Sequence, residues 1–497
     1  ATNPLVSLPR AGALKDLPAD LFVAVADCVS DTPTAEIADV LLPAAAWGEK
    51  DGTVTNSERR VSRQRAFLPL PDEAKPDWWI LKELGKRLGH AAAFAYEMPA
   101  AIFREHAALA HTVGLDLDFG DPAQLDDDAY AALAPTAWPF RSDKRMFEDG
   151  HFFTEDGRAR FIPIDPAGPA REPSPYFPFV LNTGRYRDHW HTLTRTGLSP
   201  TLSRHRAEPF VELHPDDAAS FGLKNGDFAR LESAHGIAVL KVRLDDGQQP
   251  GTLFVPMHWN GGHNRGAAIN RLVAPITDPI SGQPESKSCP VSLAPVAFRH
   301  RGFALARSGA VLADLDYCSR TLVEGGWLYE IATDLEVADW RHWFEKRLRS
   351  GAEGLSWSGY GDPARGDHRF AAVRGGRLEA ALFIGADLPR EWLASRLADL
   401  QLHPRDRACL LAGSAPGADP GPLVCACHGV GRNVIARAIG EDGLATTDAI
   451  GTALKAGTNC GSCLPELRAL LVAAAAKDAI GETHDLPVAE AREKVDA

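Results

Sequence analysis

The chain has 497 residues, room for about three domains. Its 45% hydrophobic and 24% charged content is that of ordinary globular protein, which excludes disorder, collagen and coiled coil as descriptions of the whole. With 53 Lys and Arg against 66 Asp and Glu the formal charge is −13, so a phosphate backbone finds no general attraction and no nucleic-acid partner is expected. The longest apolar runs, 21–26 and 470–476, fall far short of the ~18–20 residues that span a bilayer, and no membrane contact is expected. The run 21–26 follows Asp20 and has no basic flank, so it is not a signal peptide. The chain starts on Ala1 rather than Met, and the expectation is a piece whose upstream part is missing. Eight cysteines are too few for a disulfide scaffold. Cys28, Cys289, Cys318 and Cys409 are scattered and read as small buried hydrophobes; the other four are clustered.

In chain order, 21–26 has the pattern of a buried parallel strand ending at Asp27, and 40–42 before Pro43 that of a second strand. Residues 77–88 carry apolar side chains at helical spacing (Trp78, Leu81, Leu84, Leu88) and close on Gly89. Ligands of such α/β sheets sit beyond strand carboxyl ends, where Asp27 falls. Two Asp-Gly turns within 147–163 predict a hairpin. Short strands at 179–181, 228–231, 237–242 and 253–255, separated by Asn225-Gly226, Asp246-Gly247 and Pro250-Gly251, predict a compact barrel. Residues 297–411 read as a small α+β unit, with a strand at 378–384 and a helix at 389–400. Six of the eleven residues in 412–422 are Gly or Pro, which marks a linker.

Cys425-Ala-Cys427 and, after 32 intervening residues, Cys460-Gly-Ser-Cys463 form the cluster. Alternate residues of an extended segment face one side, so Cys425 and Cys427 can present their sulfurs together. Gly461 permits the turn between the second pair. Helices at 432–439 and 465–475 follow the two pairs and would aim positive dipole ends at thiolates. Four thiolates suit an iron–sulfur cluster or zinc, and the tight C-x-C spacing favours [2Fe–2S] over zinc or unliganded thiols. The stretch 423–471 resembles the bacterioferritin-associated-ferredoxin-like [2Fe–2S] domain, whose members relay single electrons. Gly429-Val-Gly431 is not a dinucleotide fingerprint, because position 434 is Val434 and no strand precedes it.

Three dense polar loops remain. Residues 182–192 (Asn-Thr-Gly-Arg-Tyr-Arg-Asp-His-Trp-His-Thr) leave a strand with a glycine, two arginines and two histidines, a composition that offers amides and guanidinium forks to a diphosphate. Taken alone, they are equally compatible with a solvated turn, and His189 and His191 with packing histidines. The others are 47–60 and 270–287, the latter ending in Lys287. Together with 25–43, 149–161 and 254–291, these loops resemble the molybdopterin oxidoreductases of the bis-guanine-dinucleotide class, most closely the bacterial assimilatory nitrate reductases. The resemblance spans about residues 1–297, and some members also carry the [2Fe–2S] module.

The resemblance implies a multidomain α/β plus β fold. Residues 1–145 would be a partial Rossmann-like molybdopterin domain and 146–297 a double-psi-type β-barrel that binds the dinucleotide. A small α+β domain (298–411), the linker, a helical [2Fe–2S] domain (423–476) and a charged tail (477–497) would follow. The implied cofactor contacts are Asp27, Lys50 and Asp77 in the first domain. In the barrel they are Thr183, Gly184, Arg185, Asp188, His189, Trp190, His191 and Thr192, then Asn270 and Lys287. An aromatic contact falls at 257–259, where the spacing departs from the family's. Cys425, Cys427, Cys460 and Cys463 would hold the [2Fe–2S] cluster.

The implied reaction is reduction of nitrate to nitrite at molybdenum carried by two pterin guanine dinucleotides. A [4Fe–4S] cluster would be held by an upstream region, and the donor would be ferredoxin, flavodoxin or an NADH-linked flavoprotein subunit, in the cytoplasm. No cysteine here matches the family's molybdenum ligand, so no catalytic residue is named and the chain alone is expected to be inactive. The alternatives are another member such as a formate dehydrogenase, or a non-catalytic electron carrier whose tail holds zinc on the four clustered cysteines. Residues 297–400 distantly resemble the interface domain of flavin-linked reductases.

Overall fold

The computed structural model describes residues 3–9, 17–18, 20–113, 125–138, 147–264, 266, 268–385, 390–414 and 420–481. The chain divides into two compact units, Ala1–Asn3 with Leu14–Ala170, and Pro4–Ala13 with Arg171–Ala497.

In the first unit, β1 (Ala24–Asp27) and β2 (Val40–Pro43) pair in parallel, with Asp27 opposite Pro43. The second strand is where the pattern predicts it and the first starts at Ala24 rather than at 21, but neither is fully buried: Ala24, Val40 and Leu41 are exposed, because among the described residues this sheet has two strands. A three-stranded antiparallel sheet follows, from β3 (Gly52–Thr55), β4 (Arg60–Gln64) and, later in the chain, β5 (Thr136–Ala137). The predicted helix is α1 (Asp77–Arg87), then come α2 (Pro99–Val113) and α3 (Asp127–Ala132), the last capped by the Asp126 carboxylate accepting from the Ala129 amide at 2.7 Å. The hairpin predicted at 147–163 is absent. Gly150 and Gly157 adopt the left-handed φ of turns (72° and 68°), yet no strand forms on either side. An isolated two-stranded ribbon is marginal without a third strand or an apolar cover, and Phe161 and Ile162 lie 94% and 75% exposed.

The second unit begins its sheet structure with a closed six-stranded barrel in the order β10-β6-β11-β8-β9-β7. Its strands are β6 (Phe179–Gly184), β7 (Phe210–Leu213), β8 (Phe228–Glu232), β9 (Ile237–Leu244), β10 (Thr252–Pro256) and β11 (Cys289–Val296). Alternation along each strand sends Phe179, Leu181, Val211, Leu213, Leu231, Leu240, Leu253 and Val291 inward. Two short helices, α4 (Pro200–Ser203) and α5 (Pro215–Ser220), flank β7. The register fixes the functional end. β6 and β10 run parallel with Gly184 opposite Pro256, while β11 runs antiparallel with Cys289 opposite Leu181. The loops leaving β6 and β10 and the segment entering β11 therefore share one rim.

An antiparallel six-stranded sheet follows, in the order β13-β14-β12-β17-β16-β15. It comprises β12 (His300–Ala306), β13 (Tyr317–Val323), β14 (Gly326–Thr333), β15 (Ser356–Asp362), β16 (Asp367–Arg374) and β17 (Arg377–Ile384). Trp340 and Phe344 of α6 (Trp340–Glu345) join Ala304, Ala306 and Leu382 in one apolar cluster. Leu393 of α7 (Glu391–Arg396) and Leu397, Leu402 and Leu410, around α8 (Pro404–Cys409), join Phe303, Leu305 and Phe383 in the other. Alternate β12 residues thus serve opposite faces.

The C-terminal module has a small antiparallel ribbon, β18 (Leu423–Cys425) with β19 (Val430–Gly431), and three helices, α9 (Arg432–Glu441), α10 (Thr447–Leu454) and α11 (Leu464–Gly481). Ile435, Ile450, Ala456 and Leu467 form its core with Cys425 and Cys463. The last helix continues past 476, where the pattern places the start of the tail; 482–497 lie outside the described residues.

Candidate functional site

The four clustered cysteines converge. The Cys427 and Cys460 sulfurs are 3.1 Å apart, and the Cys425 and Cys463 side chains are hydrogen-bonded to each other. Cys425 and Cys463 are buried in the module's core and Cys460 is exposed, so the site has a closed and an open edge. The sharp turn between Cys460 and Cys463 uses Gly461 at φ 72°. The last helix starts directly after Cys463, whose carbonyl accepts the Leu467 amide at 2.9 Å. Hydrogen bonds from Ser462 and then Cys427 draw the Cys460 thiol down to about 6, whereas burial pushes Cys463 up to about 11. A thiolate set of this kind fits a cluster or a soft metal ion.

One residue outside the module reaches the open edge unforeseen. His205, between α4 and β7, brings a ring nitrogen close to the Cys427 and Cys460 sulfurs, all three ligand atoms lying within 4.8 Å of one another. Its Nε2 is 3.7 Å from the Cys460 sulfur, and 255 residues separate the two in sequence, which no local pattern could reveal.

At the barrel rim, the Lys287 ammonium donates to the Thr183 carbonyl and the Thr183 hydroxyl donates to the Ser286 carbonyl at 2.8 Å. Gly184 is required by packing, since a Cβ there would stand 2.4 Å from the Phe254 ring. Arg185 and Trp190 are exposed, and Arg185 makes no hydrogen bond or ion pair among the described residues. An unengaged guanidinium beside a glycine and an ammonium fits a phosphate-bearing ligand.

Segment 257–260 holds this loop from beneath, a role that no pattern in its sequence signals. His258 Nε2 accepts the Tyr186 amide at 2.7 Å and its Nδ1 lies 2.6 Å from the His191 carbonyl, which assigns the proton to Nδ1. Asn260 donates to the Thr192 carbonyl. His189 is buried edge-on to His258 and Trp259, with centroids 5.8 and 5.3 Å away, and burial lowers its pKa to about 4. His189, His191 and Thr192 thus have structural partners. Asn270 does too: its amide nitrogen donates to the Val6 and Ser7 carbonyls at 2.9 and 3.2 Å. Asp188 binds Arg187 and His205.

In the other unit, Lys50 and Asp77 form a 2.7 Å ion pair. Asp27 ends β1, where its carboxylate accepts the Val29 amide at 3.3 Å and its carbonyl the Ala44 amide at 3.0 Å. Lys75 bridges Ala44 just before α1, so Asp27, Lys50 and Asp77 collect around the carboxyl ends of β1 and β2. A cavity of about 360 Å³ in the barrel unit, lined by Arg171, Glu172, His235, Glu285 and Cys289, includes none of the predicted residues. No helix among the described residues is long and apolar enough to cross a membrane.

Three stretches of the chain match known families. Residues 1–87 match the molybdopterin oxidoreductase family, 179–290 the molydopterin dinucleotide binding domain and 423–473 the BFD-like [2Fe-2S] binding domain. A nitrate reductase of Klebsiella oxytoca is 39% identical over 95% of this chain and 55% of its own length. One of Synechocystis sp. is 40% identical over 60% of this chain and 42% of its own. The F420-dependent formate dehydrogenase subunit alpha of Methanocaldococcus jannaschii is 33% identical over 59% and 42%. The chain therefore spans about half the length of the curated relatives it matches. Through residues 1–87, 179–290 and 423–473, and along its alignment with the Klebsiella oxytoca nitrate reductase, the chain is similar to the molybdopterin oxidoreductases, with a barrel that matches their dinucleotide-binding domain and a four-cysteine module that matches the BFD-like [2Fe-2S] domain.

Proposed function

We propose that the chain is the C-terminal part of a molybdenum-dependent nitrate reductase that converts nitrate, two electrons and two protons to nitrite and water. One observation carries the choice of substrate. The match to a nitrate reductase runs through 95% of the chain, [2Fe–2S] module included, whereas the formate dehydrogenase match covers 59%.

Bound molybdenum supplies the oxygen-atom transfer. This chain's residues bind and orient. Arg185 and Lys287 face the pyrophosphate, Gly184 lets the backbone approach it, and Trp190 offers an exposed ring face. His189, His191 and Thr192 hold the loop, with Asp188 and Asn270 completing the set. Within the other unit, Asp27, Lys50 and Asp77 contact a guanine dinucleotide, a carboxylate matching guanine's N1–H and N2–H₂ edge. Cys425, Cys427, Cys460 and Cys463 would hold the [2Fe–2S] cluster, which would supply one-electron transfer. The reading includes the domain limits given above, a [4Fe–4S] cluster upstream, a cytoplasmic location, and ferredoxin, flavodoxin or an NADH-linked flavoprotein subunit as donor.

The test is an assay of the longer protein containing this chain, with reduced viologen and nitrate, and separately with formate and an oxidised dye. Nitrite production is expected; formate oxidation without nitrite would overturn the substrate. Metal analysis of the 497-residue chain should find two irons per chain and a paramagnetic signal after reduction. Zinc without iron would establish the non-catalytic reading of the module.

A further inference from the structure

The barrel loop reaches the open edge of the cysteine site. Arg187 grips Asp188 with two parallel bonds, Nε to Oδ1 at 2.9 Å and Nη2 to Oδ2 at 3.0 Å. The same carboxylate lies 3.2 Å from His205 Nδ1, and its side chain is 12% exposed. On their far sides both basic groups meet one sulfur: Arg187 Nη2 and His205 Nε2 each stand 3.7 Å from Cys460 Sγ. Ser462 Oγ closes the group, 3.1 Å from that sulfur and 3.3 Å from His205 Nε2. A second tie lies alongside, where Arg204 donates to the Ala426 carbonyl, between the first two cysteines, at 3.3 Å. Metal ligands are commonly oriented and tuned by such outer partners. Hydrogen bonds to cluster sulfurs and nearby positive charge favour the reduced state, and they are among the factors that set iron–sulfur potentials.

We propose that Arg187, fixed by Asp188 and flanked by His205, is a positioning residue that donates to the Cys460 sulfur and raises the potential of the [2Fe–2S] cluster from the barrel side. The inference rests on the cluster reading above and goes beyond it. It makes the loop from β6 to β7 serve two groups: Arg185 is available to the dinucleotide, while Arg187, two residues on, is committed to the cluster. Arg187 is suited to this because a guanidinium keeps its charge and its fork can hold a carboxylate and a sulfur at once.

The test is a redox titration of the cluster-loaded 497-residue chain, followed by electron paramagnetic resonance, for wild type, Arg187→Met, Arg187→Lys and His205→Ala. Arg187→Met should lower the ratio of reduced to oxidised cluster at a fixed potential about tenfold, which for one electron is about 59 mV. Arg187→Lys, which keeps the charge, should recover most of the shift, and His205→Ala should move it in the same direction by less. A full cluster signal with an unchanged potential in Arg187→Met, whatever His205→Ala does, would overturn the inference and leave the cluster reading intact. A strong, directly bonded nitrogen coupling in the wild-type spectrum, lost in His205→Ala, would also overturn it, by making His205 a ligand. A wild-type chain that takes up no iron would overturn the cluster reading itself.

Discussion

His189 shows how little a site residue's chemical type says about its task. The ring sits 7% exposed against His258 and Trp259, and burial holds its pKa near 4. Its folded pKa lies below the ordinary histidine value of about 6.5, so the unfolded chain takes up a proton first as pH falls. The stability tied to this ring is therefore complete above about pH 6.5 and is lost as pH drops toward 4. Thermal unfolding of the chain should show this loss, worth up to about 3 kcal/mol, and His189→Phe should flatten the pH dependence in that window. His258, also lowered by burial, adds to the slope in the same sense. The sequence marks His189 as either a ligand contact or a packing group, and nothing local separates the two. What separates them is the segment at 257–260, brought alongside by the parallel pairing of β6 with β10.

At the scale of elements, four of the barrel's six strands are legible from short apolar runs set between glycine turns, while β7 and β11, which lie beside the long polar loops, are not. The hairpin expected at 147–163 fails for an instructive reason: Gly150 and Gly157 do make turns, but a strand also needs a partner and a cover, which a turn motif does not encode. The pair Gly325 and Gly366 separates these two demands on a turn. Both have positive φ, 85° and 70°. A Cβ on Gly325, in the tight turn joining β13 to β14, would lie 2.2 Å from the Leu397 carbonyl oxygen, whereas one on Gly366 would meet nothing within 4 Å. Gly366→Ala should therefore cost about 1 kcal/mol, the backbone penalty alone. Gly325→Ala adds a collision with backbone and should cost at least about 1 kcal/mol more, read as the difference in urea midpoints.

Across the barrel unit, a charged group joins the barrel to the six-stranded sheet. Lys241 of β9 stands 2.8 Å from Glu208 and 3.2 Å from Glu330 of β14, Arg390 is 3.0 Å from Glu330, and the Tyr317 hydroxyl donates to Glu208 at 3.1 Å. Burial pulls Lys241 down, but the two carboxylates outweigh it and hold it above the usual lysine value. Removing one partner of a buried set leaves the others uncompensated. Lys241→Met should therefore destabilise this unit by about 3–5 kcal/mol, and adding Glu208→Gln should restore part of the loss, a coupling that calorimetry of the single and double variants measures. None of these partners is near another in sequence except through the fold. For the same reason Arg187, Asp188 and His205 could not be joined to Cys460 in advance: helix and barrel patterns are local, and contacts between modules are not.

The 3.1 Å approach of Cys427 to Cys460 has a practical side. Stripped of iron, the chain keeps an exposed sulfur whose hydrogen bonds from Ser462 and Cys427 favour the thiolate, with a second thiol in touching range. Air would close the two into a cystine, because a thiolate is the attacking form in that chemistry. A colourless preparation handled without reductant would then refuse iron, although every residue needed to hold it is still in place.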